Sequence, residues 1–282
     1  MKDSKLNTQT RSNRYFAVSD VHSYFTCLKQ TLERQGFSVT DPTHVLMVLG
    51  DAFDRGTETR ELAEFLLDLH DAGRLLYIRG NHEDLLVMLL QQLARGYDPI
   101  DLALGAHASN GTWQTALDLA DMTEAQALRA PLELVARVKK TRVYRDLLPS
   151  CLNYWETDEY VFVHGWIPTK ADGRGRSARH EYDPLWREAD EPQWKDARWI
   201  NGMDAACRQG VLEPNKTIVC GHYHTSWGHC HIDGRGNEWG EDALFSPFTA
   251  SGILAIDACT AYSKTMNCFV LDHGRGEENN CE

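Results

Sequence analysis

Val45-Leu46-Met47-Val48-Leu49-Gly50-Asp51-Ala52-Phe53-Asp54-Arg55-Gly56 sets an unbroken apolar run directly before a short, charged turn bounded by glycines. A run that is apolar throughout, rather than alternating, is the pattern of a strand buried on both faces. Two other segments repeat the arrangement. Tyr15-Phe16-Ala17-Val18 leads into Ser19-Asp20-Val21-His22, and Leu75-Leu76-Tyr77-Ile78 leads, after one arginine, into Gly80-Asn81-His82-Glu83. Each turn precedes a helical pattern, so its polar groups stand where a strand opens into a loop, the place where α/β sheets carry their chemistry. Between Thr57 and Gly73, Leu62, Phe65, Leu66 and Leu69 fall on one face at helical spacing, with Gly73 as the stop. The product is a strand, helix, strand unit with parallel strands.

The same device returns later. Tyr160-Val161-Phe162-Val163 delivers His164-Gly165, and Thr217-Ile218-Val219-Cys220 delivers Gly221-His222-Tyr223-His224. Taken singly these residues have ordinary explanations, an aspartate as a helix cap or a histidine in a core. Taken together they collect carboxylate, amide and imidazole donors at separate strand ends, and buried carboxylates without a partner are costly. Donors of this kind, with no thiolate, suit manganese, iron or zinc, and a carboxylate such as Asp51 can bridge two ions. The expectation is a binuclear hydrolytic centre.

Composition sets the frame. The 282 residues, 42% of them hydrophobic, are enough for one substantial domain. A formal charge of -12 argues against a polyanion-binding surface, so no nucleic-acid partner is expected. Eight cysteines without a Cys-x-x-Cys pair, behind a polar start, point to reduced thiols in a cytoplasmic protein. No apolar run approaches the roughly 20 residues of a membrane span. Residues 1–13 and 274–282 read as flexible tails around a folded body of 14–273. Leucines recur at helical spacing from Glu83 to Leu148, which predicts a helical insertion over about 84–148, with Pro131 starting or kinking a helix. Short strands follow over Cys151 to Glu156, Tyr160 to Val163, Thr217 to Cys220, Ile253 to Asp257 and Cys268 to Leu271, with Thr157-Asp158-Glu159 turning the first pair into a hairpin.

The ordered set Asp20-x-His22, Gly50-Asp51-x-x-Asp54-Arg55-Gly56, Gly80-Asn81-His82-Glu83, His164-Gly165 and Gly221-His222 resembles the metallophosphoesterases, and more narrowly the phosphoprotein phosphatases of the bacterial and phage branch. The resemblance implies an α/β fold, a four-layer αββα sandwich of two mixed sheets. It implies two divalent ions bridged by Asp51, with Asp20 and His22 on the first, Asn81, His164 and His222 on the second, and His224 on the first. Manganese is preferred to iron or zinc. It makes His82 the general acid that protonates the leaving oxygen, Asp54 its orienting partner, and Arg55 a phosphate clamp whose planar fork can bind two phosphoryl oxygens. Pro184-Leu185-Trp186-Arg187 is similar to the segment that carries a second clamp, Arg187, with Arg179 and Arg198 as competing choices. The implied reaction is direct attack of a hydroxide shared by two cations on a phosphomonoester. The implied substrate is phosphoserine or phosphothreonine in a protein, or a small phosphoester. Symmetrical hydrolysis of a dinucleoside polyphosphate such as diadenosine tetraphosphate is the alternative, and a non-catalytic phosphate-binding scaffold the third reading.

Three features stand beside this set. His229-Cys230-His231 lacks a second metal-binding half and reads as a hairpin end. Lys170, Arg174, Arg176 and Arg179 form a charged, Gly-rich loop that reads as solvated more than as a substrate contact. Trp166, two residues after His164, either narrows a pocket or fills the core.

Overall fold

The computed structural model describes residues 13–172 and 179–273. The first half builds β1 (Asn13–Val18), α1 (Phe25–Arg34), β2 (His44–Leu49), α2 (Thr59–Asp71), β3 (Leu75–Ile78) and α3 (Asn81–Ala94). Leu28 and Leu32 put one face of α1 into the core, and Leu62, Leu66 and Leu69 do the same for α2. Gly73 takes φ +63° two residues past the end of α2 and turns the chain toward β3.

Five helices follow over the segment read as helical: α4 (Pro99–Leu104), α5 (Ala106–Asn110), α6 (Thr112–Ala120), α7 (Glu124–Arg129) and α8 (Pro131–Lys140). Pro131 opens α8, where its missing N–H costs nothing. A π-turn at Val143–Leu147 and a 3-10 turn at Leu148–Ser150 lead out. The segment has its own apolar core, in which Leu89, Leu93, Trp113, Leu134 and Val138 are buried together.

The second half contributes β4 (Trp155–Glu156), β5 (Tyr160–Phe162), β6 (Thr169–Asp172), β7 (Arg179–Tyr182), α9 (Glu191–Ala197), α10 (Gly202–Cys207), β8 (Thr217–Cys220), α11 (Thr225–His231), β9 (Phe248–Ala250), β10 (Ile253–Ala255), α12 (Thr260–Ser263) and β11 (Phe269–His273). One sheet runs β11-β1-β2-β3, with β11 antiparallel and the rest parallel; the other runs β4-β5-β8-β10-β9, parallel through β5-β8-β10 with antiparallel edges. The hairpin expected through residues 157–159 is present as β4–β5, but its first strand shrinks to two residues because Leu152 bridges instead to Ile78 of the other sheet. β6 and β7 form a separate ribbon, and Arg174 and Arg176 of the charged loop lie outside the described residues.

Alternation along each strand explains the layers. Tyr15, Ala17, Val45, Met47, Leu49 and Ile78 face Phe162, Val219 and Ile256 across the space between the sheets. Their neighbours Phe16, Val18, Leu46 and Val48 face α1 and α2, while Val161, Val163, Ile218 and Cys220 face Trp194 and Met203 of α9 and α10. The result is a helix, sheet, sheet, helix sandwich, and the ends of β1, β2, β3, β5 and β8 open at one rim. Trp166 is 1% exposed within the outer core of the second sheet, so it is filler and not a pocket wall.

Candidate metal centre

Two groups of donors converge at that rim: His22, Asp51 and His82 in one, and Asp51, His164 and His222 in the other, the atoms of each group within 4.8 Å of one another. Asp51 belongs to both. Its Oδ1 is 3.4 Å from His164 Nε2 and its Oδ2 is 3.8 Å from His82 Nε2. Asn81 Oδ1 lies 2.9 Å from His164 Nε2, and Asp20 Oδ1 lies 3.9 Å from His22 Nε2. Asp20, His22, Asp51, Asn81, His164 and His222 are thus brought together from five strand ends.

The backbone is bent to do this. Asp20, His22, Ser23, Asp51, Asp54, Arg55 and His222 all take left-handed conformations with φ between 50° and 78°. Each costs on the order of 1–3 kcal/mol outside glycine, and such residues persist where the surroundings over-determine them. The surroundings here are visible. A Cβ on Gly221 would collide with the Ser19 and Asp20 side chains, so only glycine lets β8 pass so close to β1. Glu83, buried at the start of α3, accepts from the backbone N–H groups of Asp51 (3.0 Å), Ala52 (3.1 Å) and Gly80 (2.7 Å) and from Tyr77 Oη–H (2.7 Å), stapling the ends of β2 and β3 together.

The imidazoles are oriented from behind. His22 Nδ1 is 3.0 Å from the Phe53 carbonyl, His164 Nδ1 is 2.7 Å from the Leu49 carbonyl, and His222 is hydrogen-bonded to the Trp199 backbone. Donation to these carbonyls leaves Nε2 of His22 and His164 facing inward, the arrangement that metal-ligating histidines adopt. Burial holds His22 well below its ordinary pKa, helped by Arg55 and His82, and burial, with His164, holds His222 down at about 3, so both rings are neutral. Burial pushes Asp20 up, with Asp51 adding to it. Asp51 goes the other way: burial alone would raise it, but His164 and His82 hold it well below the usual carboxylate range. His164 resists its own burial through Asp51 and is raised to about 10. Buried carboxylates, an amide oxygen and inward-facing imidazole nitrogens form a donor set that fits divalent cations, and a cation would take the place of the His164 proton.

His82, a member of the first donor group, also has partners outside it. Its Nδ1 is 2.7 Å from Asp54 Oδ2, and its Nε2 is 3.3 Å from Arg55 Nη2. Burial would lower His82, yet Asp51 and Asp54 raise it. Arg55 itself is exposed at the mouth. The helical segment supports this corner: Thr112 Oγ1 donates to the same Asp54 Oδ2 (2.7 Å), Thr115 Oγ1 accepts from Asp54 N–H (3.1 Å), and Gly111 packs directly on the Arg55 backbone. Neither threonine was singled out from the sequence, nor was Glu83 given a role, since side-chain to backbone bridges between distant loops leave no local pattern.

Two expected residues are placed elsewhere. His224 turns away from the cluster: its Nδ1 meets Ser226 Oγ at 2.9 Å, its Nε2 lies 3.4 Å from Glu238 Oε1, and its ring packs 4.4 Å from Trp239. The reason is local, because His224 caps α11, whose first turn directs the ring outward. The same helix takes up His229-Cys230-His231, which is therefore not a hairpin end; His229 is satisfied by Asp233 and the Ser246 carbonyl. Arg187 is held by both oxygens of Glu156 (2.9 and 2.7 Å) and by Glu213 (2.9 Å), and lies over Trp186. Glu156 sits beside the start of β5 and Glu213 precedes β8, so Arg187 is at the opposite end of the strands whose far ends carry His164 and His222. Of the competing arginines, Arg179 is exposed on β7, and Arg198 is buried and bonded to Asp84 and Glu191. Trp199, which the sequence reading passed over, also packs on His222, at 5.7 Å and edge-on.

Residues 14–244 match the family described as calcineurin-like phosphoesterase. Among curated relatives, the asymmetrical bis(5'-nucleosyl)-tetraphosphatase PrpE of Bacillus subtilis is 24% identical over 215 residues, 74% of this chain and 78% of its own length. Its namesake from Bacillus velezensis is 24% identical over 171 residues, 58% of this chain and 60% of its own. Among solved structures, a cold-active protein-tyrosine phosphatase of a psychrophilic Shewanella superposes with a TM-score of 0.45 at 17% identity, covering 93% of this chain and 76% of that one. A protein serine/threonine phosphatase from Saccharomyces cerevisiae gives 0.44 at 13% identity, covering 96% and 84%. The chain belongs to the calcineurin-like phosphoesterases and is a metal-dependent hydrolase of phosphoric esters.

Proposed function

We propose that the chain hydrolyses dinucleoside polyphosphates at a two-cation centre in which Asp51 is the shared ligand, releasing a nucleoside monophosphate and a nucleoside triphosphate from a tetraphosphate. The observation that carries the centre is the membership of Asp51 in both donor groups. Asp20 and His22 would complete one cation site, and Asn81, His164 and His222 the other. The cations, when bound, supply Lewis acidity that activates water and neutralises phosphoryl charge.

The side chains do the rest. Arg55, exposed at the mouth and 3.3 Å from His82, offers a planar fork to two phosphoryl oxygens. His82 donates the proton from Nε2 to the oxygen that leaves phosphorus, while Asp54 accepts from Nδ1 and stabilises the charged ring. Water gives up one proton to solvent as its oxygen joins the phosphorus next to a nucleoside, the phosphoanhydride bond breaks, and the bridging oxygen, protonated by His82, departs with the longer fragment.

The choice of substrate departs from the first preference of the sequence, a phosphoserine or phosphothreonine protein, and from the symmetrical cleavage held second. Trp199, 49% exposed beside His222, supplies an aromatic surface that a phosphoserine side chain cannot use, and the Bacillus relatives are named for asymmetrical cleavage of bis(5'-nucleosyl) tetraphosphates. Initial rates on diadenosine tetraphosphate and on a phosphoserine peptide, with metal-stripped protein and added manganese, test this. Metal-dependent release of AMP and ATP at the higher kcat/KM supports the proposal. Two ADP, or preference for the peptide, overturns it.

A further inference from the structure

A row of aromatic rings runs outward from the metal centre. His222 meets Tyr223 at 6.1 Å, Tyr223 stacks on His224 at 5.4 Å and 22°, and His224 packs against Trp239 at 4.4 Å. Trp239 in turn meets Tyr262 edge-on at 5.2 Å, and the Gly240 N–H donates to Tyr262 Oη at 3.2 Å. The outer members are wet: Trp239 is 48% exposed and Tyr262 50%. Beside them lies an open cleft of about 760 Å³ lined by Gly240, Glu241, Phe245, Ser246, Tyr262 and Asn267. At the inner end, Trp199 stands against His222 itself with half its surface free.

The outer platform is braced as a binding surface is. Glu238 receives His224 on one oxygen and His231 on the other, at 3.4 and 2.8 Å, and its own carbonyl accepts from Ser226 Oγ at 2.9 Å. Trp227 lies 5.1 Å from His231, and the Arg208 guanidinium lies over Trp227, 4.9 Å from its centroid. These contacts fix the residue immediately before Trp239, and they account for His224, a histidine in a ligand-like sequence position that serves as the backing of a tryptophan.

We infer that Trp199 and the Trp239–Tyr262 pair are two nucleobase platforms of unequal reach, the first for the base nearest the phosphorus attacked and the second for the base beyond the polyphosphate chain. The inference rests on the dinucleoside polyphosphate reading above. Its ground is position: Trp199 touches a ring of the centre directly, whereas Trp239 is three ring contacts away and packs on Tyr262, which lines a cleft large enough for a nucleoside. A base stacks on an aromatic ring whatever its identity, since every base has a π-face. Two platforms at different distances from one centre hold a tetraphosphate off-centre, so the bond broken is not the middle one. Glu241, the charged residue of the cleft, would repel a phosphate group and leaves room there for a base and sugar.

The test compares metal-loaded W199A and W239A/Y262A with wild type on diadenosine tetraphosphate and on p-nitrophenyl phosphate, which has no base. It also measures calorimetric binding of diadenosine tetraphosphate to the metal-stripped proteins, where no turnover intervenes. The ratio of kcat/KM on the dinucleotide to that on p-nitrophenyl phosphate should fall about tenfold in each variant, with a matching loss of affinity, the scale of one stacked base. W199F and W239F, which keep a ring, should recover most of it. Ratios and affinities equal to wild type in both alanine variants would overturn the inference while leaving the substrate reading intact. A wild-type enzyme that turns over p-nitrophenyl phosphate but neither binds nor cleaves the dinucleotide would remove the substrate reading itself.

Discussion

Asp54 Oδ2 serves two hydrogen bonds, one with His82 Nδ1 and one from Thr112 Oγ1, both 2.7 Å long. The carboxylate is therefore fixed in the plane that the imidazole needs. Thr112→Val keeps the shape and removes one donor, and should lower kcat at least about tenfold, the value of one hydrogen bond to a charged group, with a smaller change in KM. A kcat equal to wild type would make Thr112 a bystander. His82→Asn or Asp51→Asn should lower turnover at least a hundredfold, since the first loses the proton donor and the second the shared ligand; near-wild-type rates in folded, metal-loaded variants would end the mechanism. The pH profile follows from the Asp54 contact. Asp54, 2.7 Å from Nδ1, stabilises the charged His82 ring, so the rate should fall as pH rises through the titration of that ring. In His82→Asn the alkaline limb should flatten, and an unchanged limb would assign it to another group. At this scale the sequence was readable wherever a donor ends a strand, because strand and turn fix its direction. It was silent on rotamers after a loop: His224 lies two residues from His222 and faces the other way, and Arg187 is held by carboxylates 31 and 26 residues distant.

α3 begins at Asn81, and its third residue, Glu83, binds backward to the two strand ends that frame Asp51. A helix cap has here become a cross-brace between elements. Glu83→Gln would turn an NH2 donor toward backbone donors that now meet oxygen, and should destabilise the metal-stripped protein by about 1–3 kcal/mol. Urea unfolding monitored by circular dichroism measures it, and a midpoint within error of wild type would show that the brace is dispensable. The helices over 84–148 were legible from leucine spacing. Their contact with the centre through Gly111, Thr112 and Thr115 was not, because the residues that reach Asp54 and Arg55 sit at the buried start of α6 and look in sequence like an ordinary Gly-Thr helix entry. α11 shows the complementary failure, a histidine-rich stretch that reads as a hairpin end beside the Gly-rich turn at Asp233-Gly234-Arg235-Gly236 and is a helix.

Across the whole molecule the centre straddles the gap between the sheets. Asp20, Asp51 and Asn81 come from the first sheet and His164 and His222 from the second, and the Arg198–Asp84 pair, 114 residues apart in the chain, ties the two sides at 2.8 Å. Neither sheet alone offers both donor groups, because His164 reaches back to the Leu49 carbonyl and the His222 N–H to Asp20. The order of folding events is thereby constrained. Contacts between residues 115 and 202 positions apart are slow to form, since long loops must close before any contact rewards them. The donor group of Asp51, His164 and His222 is complete only once the two sheets have docked. Manganese should therefore slow unfolding in denaturant jumps several-fold while leaving the refolding rate nearly unchanged, and a refolding rate that climbs with manganese would mean the ligands gather earlier. For this chain the metal would act as a latch on a finished structure, setting how long the native state lasts and not how quickly it is reached.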